Sequence, residues 1–212
     1  MGFNTLLETT DNFVTNITLN RPERLNALNF EMANELYEVL HEKDQDDATR
    51  VFVIHGEGRG FCAGADLADR GVAEGRAANA PTLAERMHQA FVDIEKPLIA
   101  AINGVAVGGG CTLTLLCDIR IAAESARFQL PFTKLGISAE LGSTYMLPRI
   151  LGMGKAMELV LTAKMIGAAE ALDINLVNQV VADDELDAVT HEMATLIAGL
   201  PPKSVRMNKA GL

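Results

Sequence analysis

The chain has 212 residues, of which 49% are hydrophobic and 22% are charged. This composition is typical of a soluble globular protein that is large enough for one well-formed core. The formal net charge of −10 argues against a nucleic-acid partner, because phosphate binding needs a basic face. No apolar run reaches the roughly 18 residues of a membrane span, and no secretory signal is visible, so we expect a cytoplasmic protein without a membrane partner.

Histidine and cysteine are sparse and show no metal-binding pattern. Cys62, Cys111 and Cys117 are odd in number, form no CxxC motif and lie in apolar surroundings. We therefore expect buried free thiols in a reducing compartment. The four histidines are scattered and none completes an HExxH motif, so we expect no metal site.

Apolar periodicity predicts strands that alternate with helices along the chain. The predicted strands are 13–19, 51–55, 97–102, 119–122 and 177–181. The predicted helices are 30–43, 82–94, 140–150, 153–162, 168–173 and 184–198, with a last one after the proline pair at 201–202. Asn29 is the expected N-cap of the first helix. Residues 68–81 are expected to form a mobile loop. Such alternation favours an α/β fold with mostly parallel strand pairing.

Two glycine-bearing segments could present backbone N–H groups to a ligand. Gly108, Gly109 and Gly110 follow a short apolar run and precede another, and Phe61–Leu67 reads FCAGADL. The glycines could open a helix that negative charge approaches closely, or they could form a tight packing turn. If two N–H groups converge, they form an oxyanion hole, in which each donor contributes about 2.7–4 kcal/mol to transition-state stabilisation. Sequence alone leaves their convergence open.

The two segments, FCAGADL and INGVAVGGGCTL, resemble the crotonase (enoyl-CoA hydratase/isomerase) superfamily. NRPERLNAL at 20–28, CDIRIA at 117–122, and the LG and LPR at 135–136 and 147–149 match in the same order. The resemblance implies an α/β spiral of ββα turns with a helical C-terminal part. That part would be shortened here, with a core domain at 1–195 and its start at 196–212. It also implies a homotrimer or dimer of trimers that acts on an acyl-CoA thioester, with no separate cofactor because CoA belongs to the substrate.

The same resemblance assigns residues by position. The backbone N–H groups of Ala65 and Gly109 would form the oxyanion hole. The expected substrate and CoA contacts are Arg24, Ala27, Ala63, Gly64, Ala65, Asp66, Leu67, Gly109 and Phe132. Asp66 could instead be only a turn former.

The two glutamates of the hydratases in this superfamily are missing. Thr112 stands two residues after the last glycine of the triplet, and Phe132 follows Pro131, where the glutamates would be. Hydration needs one group to activate water and another to manage a proton. Threonine and phenylalanine cannot do this at neutral pH, so the sequence disfavours the standard hydratase mechanism.

Glu140 is the acid that remains nearby. The segment at 130–152, LPFTKLGISAELGSTYMLPRILG, is similar to peroxisomal-type Δ3,Δ2-enoyl-CoA isomerases, whose single catalytic glutamate would be Glu140. A 1,3-proton shift needs only one base, and apolar neighbours such as Phe132, Leu141 and Met146 would raise its pKa. Glu140 could instead be a first-turn acid of helix 140–150, capped by Ser138.

The sequence therefore predicts an acyl-CoA Δ3,Δ2-enoyl isomerase with Glu140 as its base. Two alternatives stay open: another crotonase chemistry, such as hydration or thioester hydrolysis, and a non-catalytic acyl-CoA-binding or scaffold protein. Acyl chain length has no readable signal in the sequence.

Overall fold

The computed structural model describes residues 2–68 and 81–212. The expected loop at 68–81 falls, apart from its two end residues, outside the described residues. Ten strands are described: β1 Leu6–Asp11, β2 Val14–Leu19, β3 Val51–Gly56, β4 Gly60–Cys62, β5 Leu98–Ile102, β6 Val105–Val107, β7 Ile119–Ala123, β8 Arg127–Gln129, β9 Met165–Gly167 and β10 Gln179–Val181.

Eight α-helices are described within residues 2–68 and 81–212. They are α1 Phe30–Asp44, α2 Leu83–Phe91, α3 Gly109–Thr114, α4 Ser143–Leu151, α5 Met153–Thr162, α6 Ala168–Asp173, α7 Leu186–Ala198 and α8 Pro202–Gly211. Short 3-10 helices cover Pro22–Arg24, Thr133–Leu135 and Asp183–Glu185. In the described part of the chain, no helix is both long enough and apolar enough to cross a bilayer.

The strands form two sheets. The larger has the order β1-β2-β3-β5-β7-β10, and the smaller has the order β4-β6-β8-β9. In the larger sheet only β1 and β2 pair antiparallel; in the smaller sheet only β8 and β9 do. The predicted predominance of parallel pairing is confirmed.

Successive strand pairs divide between the two sheets, which gives the fold its spiral course. β3, β5 and β7 lie side by side in the larger sheet, and the strand that follows each of them joins the smaller one. Helix α3 follows the pair β5 and β6. The predicted ββα spiral is thus confirmed, and β4 and β6 become parallel neighbours. That pairing brings together the two glycine-bearing segments, which lie more than 40 residues apart in sequence.

Local side-chain caps set the starts of α1 and α2. The side chain of Asn29 accepts a hydrogen bond from the Met32 N–H, so it caps α1 as predicted. Met32, Leu36 and Leu40 lie on one buried face of that helix, as their spacing predicts. A complete capping box between Thr82 and Glu85 begins α2, and α1 packs against α2.

Two expectations need correction or remain untested. The helix predicted over 140–150 begins only at Ser143, because Leu141 and Gly142 have left-handed φ values of 52° and 69° and a right-handed helix cannot run through them. Strands β1, β4, β6 and β9 are not predicted: in β1 only Leu6 of the six residues is buried and no alternation marks it, and the other three have only three residues each. The boundary at 195/196 falls within α7, and the division into a core and a C-terminal part stays a prediction.

Candidate active site

The beginning of α3 lies against the chain reversal that follows β4. A Cβ built on Gly110 would lie 2.1 Å from the backbone oxygen of Cys62, so only a glycine permits this approach. Gly64, whose φ is +91°, turns the chain just beyond Cys62, and a Cβ there would lie 2.6 Å from the Val107 oxygen. The structure confirms the tight packing turn, which brings two backbone segments to one place; the approach of a negatively charged ligand to the glycines stays a prediction.

A single parallel bridge orients Ala65. The Leu28 N–H donates to the Gly64 oxygen at 2.8 Å, and the Asp66 N–H donates to the Leu28 oxygen at 2.8 Å. Successive N–H groups of an extended chain point to opposite sides. Since the Asp66 N–H faces Leu28, the Ala65 N–H faces away from it. Within the described residues, no hydrogen bond uses the Ala65 N–H.

Gly109 lies close to the Ala65 nitrogen. A Cβ built on Gly109 would be 3.7 Å from the Ala65 nitrogen, and one built on Gly64 would be 3.3 Å from the Gly109 nitrogen. Gly109 is the first residue of α3, with Gly108 as its N-cap. Its N–H therefore lacks an intrahelical acceptor. The two predicted donors are thus neighbours in space, and each is the kind of amide that can donate to an oxyanion.

The Glu140 carboxylate borders the same space. Its Oε1 would lie 3.3 Å from a Cβ built on Gly109, so the carboxylate, the Gly109 backbone and the Ala65 nitrogen surround one small volume. Glu140 is half-buried, and desolvation raises the pKa of its carboxyl group. Desolvation acts this way because burial disfavours the ionised form. The result is a carboxylate that accepts a proton more readily than one in water.

Glu140 is not a first-turn acid of α4. The Ser143 N–H donates to the Glu140 carbonyl at 3.0 Å, and the helix begins only at Ser143. Gly142 is the N-cap and Ser138 makes no cap, so the expected capping role of Ser138 is wrong. The left-handed turn at Leu141 and Gly142 instead leaves Glu140 on an irregular segment beside α3.

The two positions without glutamate are both buried. Thr112 is fully buried, and its hydroxyl donates to the Gly109 carbonyl at 3.2 Å. Phe132 is 2% exposed within the main hydrophobic core. Neither side chain can take up or release a proton near neutral pH.

The remaining residues predicted to contact substrate or CoA surround the chain reversal. Ala27 and Gly64 are buried, Ala63 and Asp66 are half-buried, and Arg24, Ala65 and Leu67 are exposed. Asp66 does accept from the Ala68 N–H at 3.0 Å, as a turn former would. Its carboxylate also pairs with Arg21 at 2.8 Å, and the hydrogen bond from Arg21 lowers its pKa.

Arg21 and Asn26 received no role from the sequence. Asn26 is fully buried; its amide donates to the Glu57 and Gly60 carbonyls, and its oxygen accepts from the Arg21 N–H. Both residues lie within the matched NRPERLNAL segment, which was the only signal available. Asp66, the partner of Arg21, and Glu57 and Gly60, the partners of Asn26, are distant in sequence, so these contacts emerge only in the fold.

Cysteine and metal chemistry receive no support from the described residues. Cys62, Cys111 and Cys117 are buried free thiols, and burial raises the pKa of each to about 12. They are therefore thiols rather than reactive thiolates at neutral pH. No cluster of three His, Cys, Asp or Glu side chains within 2–68 and 81–212 could hold a metal ion.

Two backbone amides beside one carboxylate on a parallel ββα spiral are chemically able to support acyl transfer or proton transfer. Comparison with known proteins gives the family. The enoyl-CoA hydratase/isomerase family matches residues 9–212. This chain belongs to that family of enzymes, the crotonase superfamily, as the resemblance implied.

Three similar proteins illustrate the range of the family. The 1,2-epoxyphenylacetyl-CoA isomerase of Escherichia coli K12 is 42% identical over 89% of this chain and 74% of its own length. The short-chain-enoyl-CoA hydratase of Clostridium acetobutylicum is 38% identical over 100% of this chain and 82% of its own. The crystal structure of an enoyl-CoA hydratase/isomerase from Pseudoalteromonas atlantica superposes with a TM-score of 0.91 at 36% identity, over 97% of this chain and 81% of that one.

Adjacent glycines of α3 provide a paired test of this geometry. We expect Gly110→Ala to unfold or strongly destabilise the protein, because its Cβ would meet the Cys62 carbonyl at 2.1 Å; overpacking typically costs about 1–3 kcal/mol or more. We expect Gly109→Ala to fold but to lose enoyl-CoA turnover, because its methyl group would occupy the space between Glu140 and Ala65. Thermal denaturation and a turnover assay measure the two effects. Wild-type turnover in Gly109→Ala would show that the reaction takes place elsewhere.

Proposed function

We propose that the protein is a Δ3,Δ2-enoyl-CoA isomerase that moves one proton with Glu140 as its base. The observation that carries the proposal is the position of the Glu140 carboxylate, whose Oε1 lies 3.3 Å from a Cβ built on Gly109; that same Cβ would lie 3.7 Å from the Ala65 nitrogen. The substrate is a 3-enoyl-CoA thioester whose carbonyl oxygen accepts from the N–H groups of Ala65 and Gly109.

The reaction is a balanced 1,3-proton shift. The Glu140 carboxylate takes a proton from C2, and the electron pair of that C–H bond moves toward C1 and places negative charge on the thioester oxygen. The two N–H groups stabilise this dienolate. The thioester carbonyl then re-forms as C2 and C3 become doubly bonded, and the electrons of the former C3–C4 double bond take the proton back from Glu140 at C4.

The environment of Glu140 suits this role on two counts. Its raised pKa makes the carboxylate a stronger base and brings it closer to the acidity of the carbon that it must deprotonate. The fixed amides act where charge develops, so they need no reorganisation during the reaction. A single carboxylate that is protonated in one half of the reaction and deprotonated in the other needs no second acid.

Hydration of 2-enoyl-CoA has weaker support, although one relative is named a short-chain-enoyl-CoA hydratase. The standard hydratase mechanism in this superfamily needs two glutamates, and Thr112 and Phe132 stand at those positions. Product analysis with a 2-enoyl-CoA separates the two reactions, because only hydration yields a 3-hydroxyacyl-CoA.

A second candidate function comes from the relative that is 42% identical, the 1,2-epoxyphenylacetyl-CoA isomerase. That reaction is also an isomerisation of an acyl-CoA and needs no added water. Incubation with 1,2-epoxyphenylacetyl-CoA, in parallel with an aliphatic 3-enoyl-CoA, ranks the two substrates by kcat/KM. Assembly as a homotrimer or dimer of trimers stays a prediction.

Replacement of the base is the first test. We expect Glu140→Gln to lower kcat for the conversion of 3-enoyl-CoA to 2-enoyl-CoA by about 10²- to 10⁴-fold, the usual contribution of a general base. Absorbance of the conjugated product follows the reaction directly. The variant should retain its fold, because glutamine preserves the size of the side chain.

Glu192→Gln is the matched control for this variant. Glu192 is exposed on α7, so the same loss of charge there should leave kcat unchanged. Wild-type activity in Glu140→Gln would exclude Glu140 as the base. Equal losses in the two variants would point to net charge rather than to a catalytic carboxylate.

The pH dependence gives a second test. Only the ionised form of Glu140 can accept the C2 proton, so kcat/KM should rise with pH through the raised pKa of this group, above the ordinary glutamate value of 4.5. Stability should move the other way: the folded state binds the Glu140 proton more tightly than the unfolded state. Stability is therefore lost as pH rises from 4.5 through the folded pKa.

Glu140→Gln should remove both effects. Its residual activity should lack the acid limb. The difference between its melting temperature and that of wild type should increase as pH rises through the same range. Measured kcat/KM profiles and melting curves check the pair. An unchanged acid limb in the variant would assign that limb to another group.

A further inference from the structure

The turn that precedes α1 is strained and strongly held. Leu25 and Asn26 both have left-handed backbone conformations, with φ values of 50° and 55°. Non-glycine residues in this region cost about 1–3 kcal/mol each and persist only where the surroundings fix them. Here the fully buried Asn26 bonds both to the Glu57 and Gly60 carbonyls and to the Arg21 N–H. The fold therefore fixes the path of the chain into Leu28.

Arg21 spans the bridge between this turn and the chain reversal. One guanidinium nitrogen donates to the Ala27 carbonyl, and another donates to Asp66 Oδ2 at 2.8 Å. Ala27 directly precedes Leu28, and Asp66 directly follows Ala65. The guanidinium thus holds both sides of the Leu28–Ala65 bridge. With side-chain exposures of 17% for Arg21 and 10% for Asp66, the pair is largely shielded from water.

This contact has a direct consequence for the Ala65 N–H. The direction of that N–H is set by the bridge, since the flanking Gly64 and Asp66 both bond to Leu28. Rotation of the Gly64–Ala65 peptide, whose carbonyl accepts from the Leu28 N–H, or a shift of Leu28 would turn the Ala65 N–H away from the space beside Gly109. A planar guanidinium with two separate donor nitrogens resists both movements, which a single ammonium group cannot do as well.

We propose that Arg21, paired with Asp66, is a positioning residue for the Ala65 donor of the oxyanion hole. Arg21 does not touch the reacting atoms, and it acts through the Leu28–Ala65 bridge. The inference rests on the proposed oxyanion hole but not on the identity of the base or on the direction of the double-bond shift.

The test uses the full-length chain and a probe that needs no turnover. The probe is cinnamoyl-CoA, a conjugated thioester whose absorbance shifts to longer wavelength when hydrogen bonds polarise its carbonyl. We compare wild type with Arg21→Gln, Arg21→Lys and Asp66→Asn. For each protein we measure the absorbance of the bound probe, kcat and KM with 3-enoyl-CoA, and the melting temperature.

Arg21→Gln should lose most of the absorbance shift. It should also lower kcat by about 10- to 100-fold with KM little changed, since complete removal of one oxyanion donor costs about 10²–10³ in kcat. A matched fall of kcat and kcat/KM marks an interaction that is made in the transition state. Arg21→Lys and Asp66→Asn should show smaller losses in the same direction, and they carry the test if Arg21→Gln does not fold.

Arg206→Gln is the matched control, because Arg206 also faces a carboxylate, Glu95 at 3.6 Å, but with more open side-chain exposures of 40% for Arg206 and 65% for Glu95. It should keep the full absorbance shift and kcat. A purely structural role for Arg21 would lower the melting temperature and leave the absorbance shift and kcat of the folded molecules unchanged, which would overturn the proposal. A wild-type complex without any absorbance shift would overturn the oxyanion hole itself. If wild type shows the absorbance shift but no isomerase turnover, and Arg21→Gln loses the shift, only the proposed reaction is contradicted.

Discussion

The close contact between the Gly110 backbone and the Cys62 carbonyl is the constraint on which the rest of the site depends. No side chain fits between them, because a Cβ on Gly110 would lie 2.1 Å from the Cys62 oxygen. The contact fixes the first turn of α3 against the end of β4. Once these two elements meet, the backbones of Gly109 and Ala65 become neighbours. The parallel β4–β6 pairing supplies the scaffold that makes the contact reproducible.

In the proposed reaction, backbone amides and one carboxylate divide the chemical work between them. The amides would serve any reaction that places charge on a thioester oxygen, so they do not distinguish one such reaction from another. The reaction depends on where acids stand around that oxygen. With Thr112 and Phe132 buried at two positions, the nearby acid is Glu140, which a left-handed turn keeps outside α4. The left-handed conformations of Leu141 and Gly142, which cannot continue a helix, thus leave the Glu140 carboxylate beside the amides.

Sequence patterns predicted the fold and the neighbourhood of the site but not its fine geometry. Helix α1 follows from apolar spacing and its Asn29 cap, α5 coincides with the helix predicted at 153–162, and the spiral follows from the family resemblance. The start of α4 was misplaced because the left-handed Leu141 carries no sequence signal, unlike glycine. The Arg21–Asp66 pair also lay beyond prediction, since it joins segments 45 residues apart and depends on how a strained turn meets the chain reversal. Local patterns report local structure, and this contact is tertiary.

The central claim is that one carboxylate removes a proton from C2 and returns it at C4. Its most direct test is the conversion of a 3-enoyl-CoA that carries deuterium at C2, in ordinary water, with NMR analysis of the earliest product. A single half-buried shuttle predicts that part of the deuterium appears at C4 of the 2-enoyl-CoA, and that Glu140→Gln abolishes this transfer. A C4 hydrogen drawn entirely from solvent, formed at an equal rate by the wild type and by Glu140→Gln, would contradict the account.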